Sequence, residues 1–157
     1  MTIKLLVVGK TENGALGSLI LEYARRLKYY IRFEMLTIPQ LKNTKNLSKK
    51  EQRVKEGELI LKQVENSDYL VLLDENGKQY TSVDFAGYLQ KKMNSGLKNI
   101  VFIIGGPYGF DEVVKERANT RVSLSKMTFS HQMVRLFFME QLYRAFTILK
   151  NEPYHHQ

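Results

Sequence analysis

Ile100-Val101-Phe102-Ile103-Ile104-Gly105-Gly106-Pro107-Tyr108-Gly109 joins an apolar run to a glycine-rich turn, and the chain then goes polar at Asp111-Glu112. Five consecutive β-branched or aromatic residues fit a strand buried on both faces, as in a parallel sheet. Gly105, Gly106 and Gly109 carry no Cβ, so a flat ligand can approach the backbone there closely. In open α/β sheets, ligands sit at the carboxyl ends of strands, where this turn lies. The turn is the first candidate binding site. The alternative is an ordinary strand-to-helix connection punctuated by Pro107.

The same alternation extends in both directions. Residues 3–9 read as a buried first strand ending on Gly9, and residues 16–29 as a helix. Residues 31–38 read as a second strand that stops at Pro39. Ser48-Lys49-Lys50-Glu51 has the form of a capping box and opens a helix expected to reach about Asn66. Residues 69–74 are a third apolar strand, with Glu75-Asn76-Gly77-Lys78 expected as a turn. Thr81 or Ser82 caps the next helix, which Gly96 ends. Beyond the opening strand come a short helix over 111–118 and a short strand over 121–124. A long apolar helix then spans 131–149. Its apolar residues cover more than one stripe, so it is either buried on both sides or paired with another subunit. Pro153 prevents its continuation. The order predicts a single three-layer α/β/α domain over residues 1–157 with a mainly parallel sheet.

A chain of 157 residues can bury a sufficient core without disulfides or metal. It contains no cysteine, which excludes disulfides, thiolate metal sites and cysteine nucleophiles. No leader precedes the first strand, and no apolar run nears the ~18 residues of a membrane span. The expectation is a soluble, cytoplasmic protein with no membrane partner. The net charge is +8, and residues 25–62 hold 11 Lys/Arg against 4 Glu. Such a local excess suits a polyanion such as RNA, or else a solvated lysine-rich face.

Three strand ends carry the candidate chemistry: Leu73-Asp74, the glycine turn, and Leu124-Ser125-Lys126-Met127-Thr128-Phe129. The third places apolar Met127 and Phe129 in a loop, where they are either tucked under it or cover a ligand. Together the three suggest a pocket for a flat, partly apolar molecule held by backbone groups. Phosphate-loop, dinucleotide, metal-ligand and nucleophile-elbow motifs are missing, so kinase and hydrolase readings are poor and no metal is expected.

The glycine turn, the run from Leu124 to His131, Arg135, the segment Glu140-Gln141-Leu142-Tyr143-Arg144-Ala145 and the Pro153-Tyr154-His155 ending occur in order and at matching spacing. Together with the Val7-Val8-Gly9-Lys10 opening they resemble the RlmH family of small bacterial SPOUT-class methyltransferases, over the whole chain. The resemblance implies an α/β fold whose C-terminal part forms a trefoil knot, although the general rule on chain threading argues against knots. It implies a homodimer that transfers a methyl group from S-adenosylmethionine (SAM) to N3 of a pseudouridine in 23S, large-subunit ribosomal RNA. It carries the cofactor contacts onto Leu73, Gly105, Leu124, Ser125, Lys126, Met127, Thr128 and Phe129.

The N3 proton must leave before the nitrogen attacks, which calls for a base or for cationic groups that favour the anion. His155, Glu140 and Arg135 are the catalytic candidates. Tyr154, His131 and Arg144 are the substrate-side candidates, with Tyr154 able to stack on a base. Glu140 has another option, an intrahelical pair with Arg144. Two other readings stand beside this one: a non-catalytic RNA- or ribosome-binding module, and a SAM-dependent methyltransferase of another RNA.

Overall fold

The computed structural model describes residues 1–156. Its elements are β1 (Thr2–Val8), α1 (Gly14–Leu27), β2 (Arg32–Ile38), α2 (Lys49–Lys62), β3 (Tyr69–Gln79), α3 (Ser82–Asn94), β4 (Asn99–Ile104), α4 (Glu112–Arg117), β5 (Thr120–Ser123) and α5 (His131–Leu149). The five strands form one sheet in the order β2-β1-β4-β3-β5, and every pairing is parallel. The expected three-layer architecture is what the chain adopts.

Side-chain alternation along the strands feeds two cores. Ile3, Leu5, Val7, Val71, Ile100, Phe102 and Ile104 face α1, α3 and α5. Leu6, Val8, Leu70, Leu72, Val101 and Ile103 face α2 and α4. Phe102 and Phe138 are fully buried with ring centroids 4.7 Å apart. Burial of each such ring contributes about 1.5–3 kcal/mol.

The helices that follow β3 and β4, α3 and α4, lie on opposite faces of the sheet. Two neighbouring parallel strands whose connections leave in opposite directions open a crevice at their carboxyl ends. The fold therefore creates a site beside the glycine turn.

Two boundaries differ from the sequence reading. The helix opened by the Ser48/Glu51 capping box stops at Lys62 instead of about Asn66. Asp68, nearly fully buried, accepts from the Glu65 N–H (3.0 Å) and from Asn99 Nδ2 (2.8 Å), and so pulls residues 65–68 into a turn. Glu75-Asn76-Gly77-Lys78 is not a turn: β3 runs on to Gln79. A shift in pairing between Leu73 and Lys78 lets the strand rejoin β5 at Val122 and Ser123. Gly77 allows this by close approach. A Cβ there would stand 2.7 Å from the Arg121 and Val122 backbone. Tertiary pairing overrides the local turn preference of Asn-Gly.

The basic segment also divides. The end of α1, with Arg25 and Arg26, belongs to the α5 face of the sheet, whereas α2 covers the opposite face. Residues 25–62 thus do not form one positive surface.

Candidate active site

A cleft of about 790 Å³ lies at the carboxyl ends of β4 and β5 and beside the pairing shift after Leu73 in β3. Its floor and walls include Leu73, Ile104, Gly105, Gly106, Leu124, Ser125, Met127, Thr128 and Phe129. All the expected cofactor residues except Lys126 line it. Lys126 is exposed and outside the lining. The reason is a local turn, in which Ser123 Oγ donates to the Ser125 carbonyl and the Met127 N–H donates to Ser125 Oγ, both at 2.9 Å. Thr128 Oγ1 donates to Glu75 Oε2 (3.3 Å) and ties the loop to β3. Met127 is 73% exposed, so it is not tucked under the loop. Phe129 packs on Phe137 with centroids 5.0 Å apart.

Ser130 caps α5 by accepting from the Met133 N–H (3.2 Å). That start places His131 and Val134 on the cleft wall. On the opposite wall stand Lys49, Lys50 and Arg53 of α2. Lys49 Nζ lies 5.5 Å from the Tyr108 ring centroid, a cation–π contact. Below them Glu56 Oε1 accepts from the Gly106 N–H at 2.8 Å. Burial pushes the Glu56 carboxyl above its ordinary range, and the Gly106 hydrogen bond opposes that shift. The sequence reading missed Glu56. The only signal was helical spacing, since Lys49, Arg53 and Glu56 share one face of α2.

The catalytic candidates do not meet in this cleft. Arg135 is completely buried. Its Nη2 donates to the Val8 carbonyl (2.7 Å) and its Nη1 to Thr11 Oγ1 (3.1 Å). Burial lowers its pKa, with Glu12 opposing. Its guanidinium fastens α5 to the end of β1, outside the lining of the cleft. Gln132 reinforces the join by donating to the Lys10 carbonyl and accepting from the Glu12 N–H.

Glu140, Arg144, Tyr154 and His155 do come together. Arg144 donates to Glu140 Oε1 from Nε (3.0 Å) and from Nη2 (2.5 Å). Tyr154 Oη donates to the same oxygen at 3.1 Å and accepts from Tyr23 Oη at 3.3 Å. Burial first, then these bonds, push the Tyr154 phenol upward. The Tyr154 ring packs edge-on against Tyr143 and lies under the Arg144 guanidinium. It is therefore not a free stacking platform. Tyr30 Oη donates to Glu152 Oε2 at 2.6 Å and completes the docking of the tail.

A second cavity, of about 580 Å³, adjoins this cluster. Glu140, Gln141 and Arg144 line one side, Tyr80 and Ser82 the other. It shares Leu124, Ser125 and Phe129 with the first cleft, so the loop between β5 and α5 is the common wall.

A family model described as "Predicted SPOUT methyltransferase" matches residues 1–155. Curated relatives align over the full length of both chains. A protein named ribosomal RNA large subunit methyltransferase H from Christiangramia forsetii is 65% identical over 157 residues. Proteins of the same name from Flavobacterium johnsoniae and Parabacteroides distasonis are 62% and 59% identical. With the parallel sheet and the strand-end cleft, these matches establish that the chain belongs to the SPOUT methyltransferase family, in the RlmH group that its motifs resemble.

Proposed function

We propose that the protein transfers a methyl group from SAM to N3 of a pseudouridine in large-subunit ribosomal RNA, acting as a homodimer on the assembled ribosome. The observation that carries this reading is the cleft at the ends of β4 and β5 and the pairing shift of β3, which gathers Leu73, Gly105 and most of the Leu124 to Phe129 loop in one place. The names of the full-length relatives supply the substrate class.

The residues fit SAM. Leu73, Ile104, Leu124 and Val134 offer apolar walls, and the strand ends offer backbone donors and acceptors. A Cβ on Gly105 would stand 3.0 Å from the Phe110 ring, so Phe110 packs directly on the turn. Asp74 and Glu75 place negative charge beside a cleft meant for a cation. When bound, SAM supplies an activated methyl on a sulfonium, and the protein's task is to align the acceptor nitrogen.

The chain's own residues then manage the proton and the charge. From the second cavity, across the wall it shares with the cleft, the Arg144 guanidinium, held by Glu140, favours the anionic form of the acceptor ring. His155 Nδ1 takes the N3 proton once Arg144 turns from it to the substrate. Lys49, Lys50 and Arg53 grip phosphates at the cleft mouth. Exposed Met127, Phe129, Met133 and Phe137 form an apolar face beside the site, which supports the homodimer.

Transfer of labelled methyl from SAM tests the reading, using ribosomes that lack the modification beside the same RNA stripped of protein. Label on assembled ribosomes alone is the expected result. SAM binding without label on either would point to a different RNA. Absence of SAM binding would leave a non-catalytic ribosome-binding module.

A further inference from the structure

We infer that Glu56 is a positioning residue for the methyl donor: by accepting the Gly106 N–H it fixes the peptide between Gly105 and Gly106, and with it the backbone surface offered to SAM. The inference rests on the proposed cofactor reading of the cleft.

Three observations support it. The hydrogen bond is 2.8 Å and links residues 50 apart in sequence, from the middle of α2 to the end of β4. The space beside Gly106 is filled by the Glu56 carboxylate, so that a Cβ there would collide with both oxygens. A Cβ on Gly106 would push the Glu56 carboxylate, the free end of its side chain, out of this position. Finally, the carboxyl is held in partly buried surroundings that disfavour its charge. A group kept at that cost, and aimed at a single backbone N–H, has a specific task there.

Peptide geometry gives the consequence. In a planar trans peptide the N–H and C=O point in opposite directions. With the Gly106 N–H turned to α2, the Gly105 carbonyl is turned away from α2. Glu56 therefore withdraws one donor from the cleft and orients one acceptor, suited to an N–H donor of the ligand. Without Glu56, the peptide between two glycines is free to rotate.

The test is SAM binding by calorimetry, with steady-state kinetics on ribosomes. Glu56→Ala is expected to weaken SAM binding and raise KM for SAM by about three- to tenfold, the worth of one hydrogen bond. Its kcat at saturating SAM changes much less. Glu56→Gln keeps an acceptor at the same place and is expected to restore most of the affinity missing in Glu56→Ala. Gly106→Ala displaces the carboxylate and is expected to act in the same direction. The double variant should bind no worse than the weaker single variant, because both remove the same hydrogen bond. This cycle also serves if Glu56→Ala alone folds poorly. Wild-type affinity in Glu56→Ala, or a Glu56→Gln variant as weak as Glu56→Ala, would overturn the inference alone. A wild-type protein that binds no SAM would overturn the cofactor reading with it.

Discussion

Arg144 Nη1 lies 3.2 Å from His155 Nδ1. A guanidinium has no lone pair to offer, so it must be the donor and Nδ1 the acceptor. The ring is then neutral, with its proton on Nε2, and its one lone pair is engaged. His155 becomes a base only when Arg144 lets it go. The same Arg144 is fixed by two bonds to Glu140, whose hydrogen bond is the first cause that raises the arginine's pKa. In the proposed mechanism, charge stabilisation by Arg144 and proton removal by His155 are therefore coupled in one rearrangement.

This predicts unequal losses within the cluster. Arg144→Ala should lower kcat by roughly 10²–10³, the scale of removing one preorganised charge-stabilising donor. His155→Gln still accepts from Arg144 but cannot take a proton, and should lower kcat by about 10² or more. Both should leave SAM affinity within about twofold of wild type, since neither residue lines the first cleft. Full activity of a His155 variant at saturating SAM would remove the base assignment.

Arg135 should behave as a structural residue. Arg135→Ala strands the Val8 carbonyl and empties a fully buried volume. A loss of about 3 kcal/mol in urea denaturation is expected from the two effects together. Arg135→Lys should also be destabilised, because an ammonium cannot reach both Val8 and Thr11 with fork geometry. A stable but inactive Arg135→Ala variant would reverse this assignment.

Gly77→Ala should couple the sheet to the site. A Cβ has no room against the β5 backbone, so β3 and β5 must separate locally, at about 1–3 kcal/mol. Leu73 lies just before the pairing shift in β3 and Leu124 just past the end of β5, and SAM affinity should fall along with the melting temperature. Unchanged affinity would show that the cleft tolerates movement of β5.

Glu56 sets a pH dependence whose sign follows from its raised pKa. The folded protein binds the Glu56 proton more tightly than the unfolded chain does. Stability from this group is therefore full at acid pH and lost as pH rises through the folded pKa. Glu56→Gln cannot ionise and should gain on wild type as pH rises from about 4 to about 7. Urea midpoints at both pH values check this, and a gain that shrinks with rising pH would contradict it.

Positive charge at the cleft mouth should show in salt dependence. Replacing Lys42, Lys45, Lys49 and Lys50 should weaken ribosome binding and flatten its salt slope, by roughly one unit or less for each phosphate no longer neutralised. Lys42 and Lys45 lie outside the cleft lining, and replacing these two alone should leave SAM affinity the same. Arg25 and Arg26, on the opposite face of the sheet, should contribute little. Arg26 is already paired with Glu22 and stacked on Tyr23 and Tyr143.

The parts of the fold that local patterns govern were legible in the sequence. Continuous apolar runs marked β1, β3 and β4, and the Ser48/Glu51 box marked the start of α2. Gly77 misled because its role lies in close approach to β5, a strand distant in the chain. The loop from Leu124 to Phe129 was legible as apolar residues in an unexpected place. Glu56 was marked only by its helical spacing from Lys49 and Arg53, because its partner Gly106 is 50 residues away in the chain. The burial of Arg135 was not legible, because a fully buried arginine has no local signature. A trefoil knot has no periodic or compositional sign, and its expectation rests on family resemblance alone.

The most direct test of the central claim is a titration of isotope-labelled protein with SAM, followed through backbone amide resonances. The largest shifts are expected at Leu73, Gly105, Gly106 and Leu124 to Phe129. Shifts confined to Tyr80, Ser82, Gln141 and Arg144 would place the ligand in the second cavity and contradict the claim.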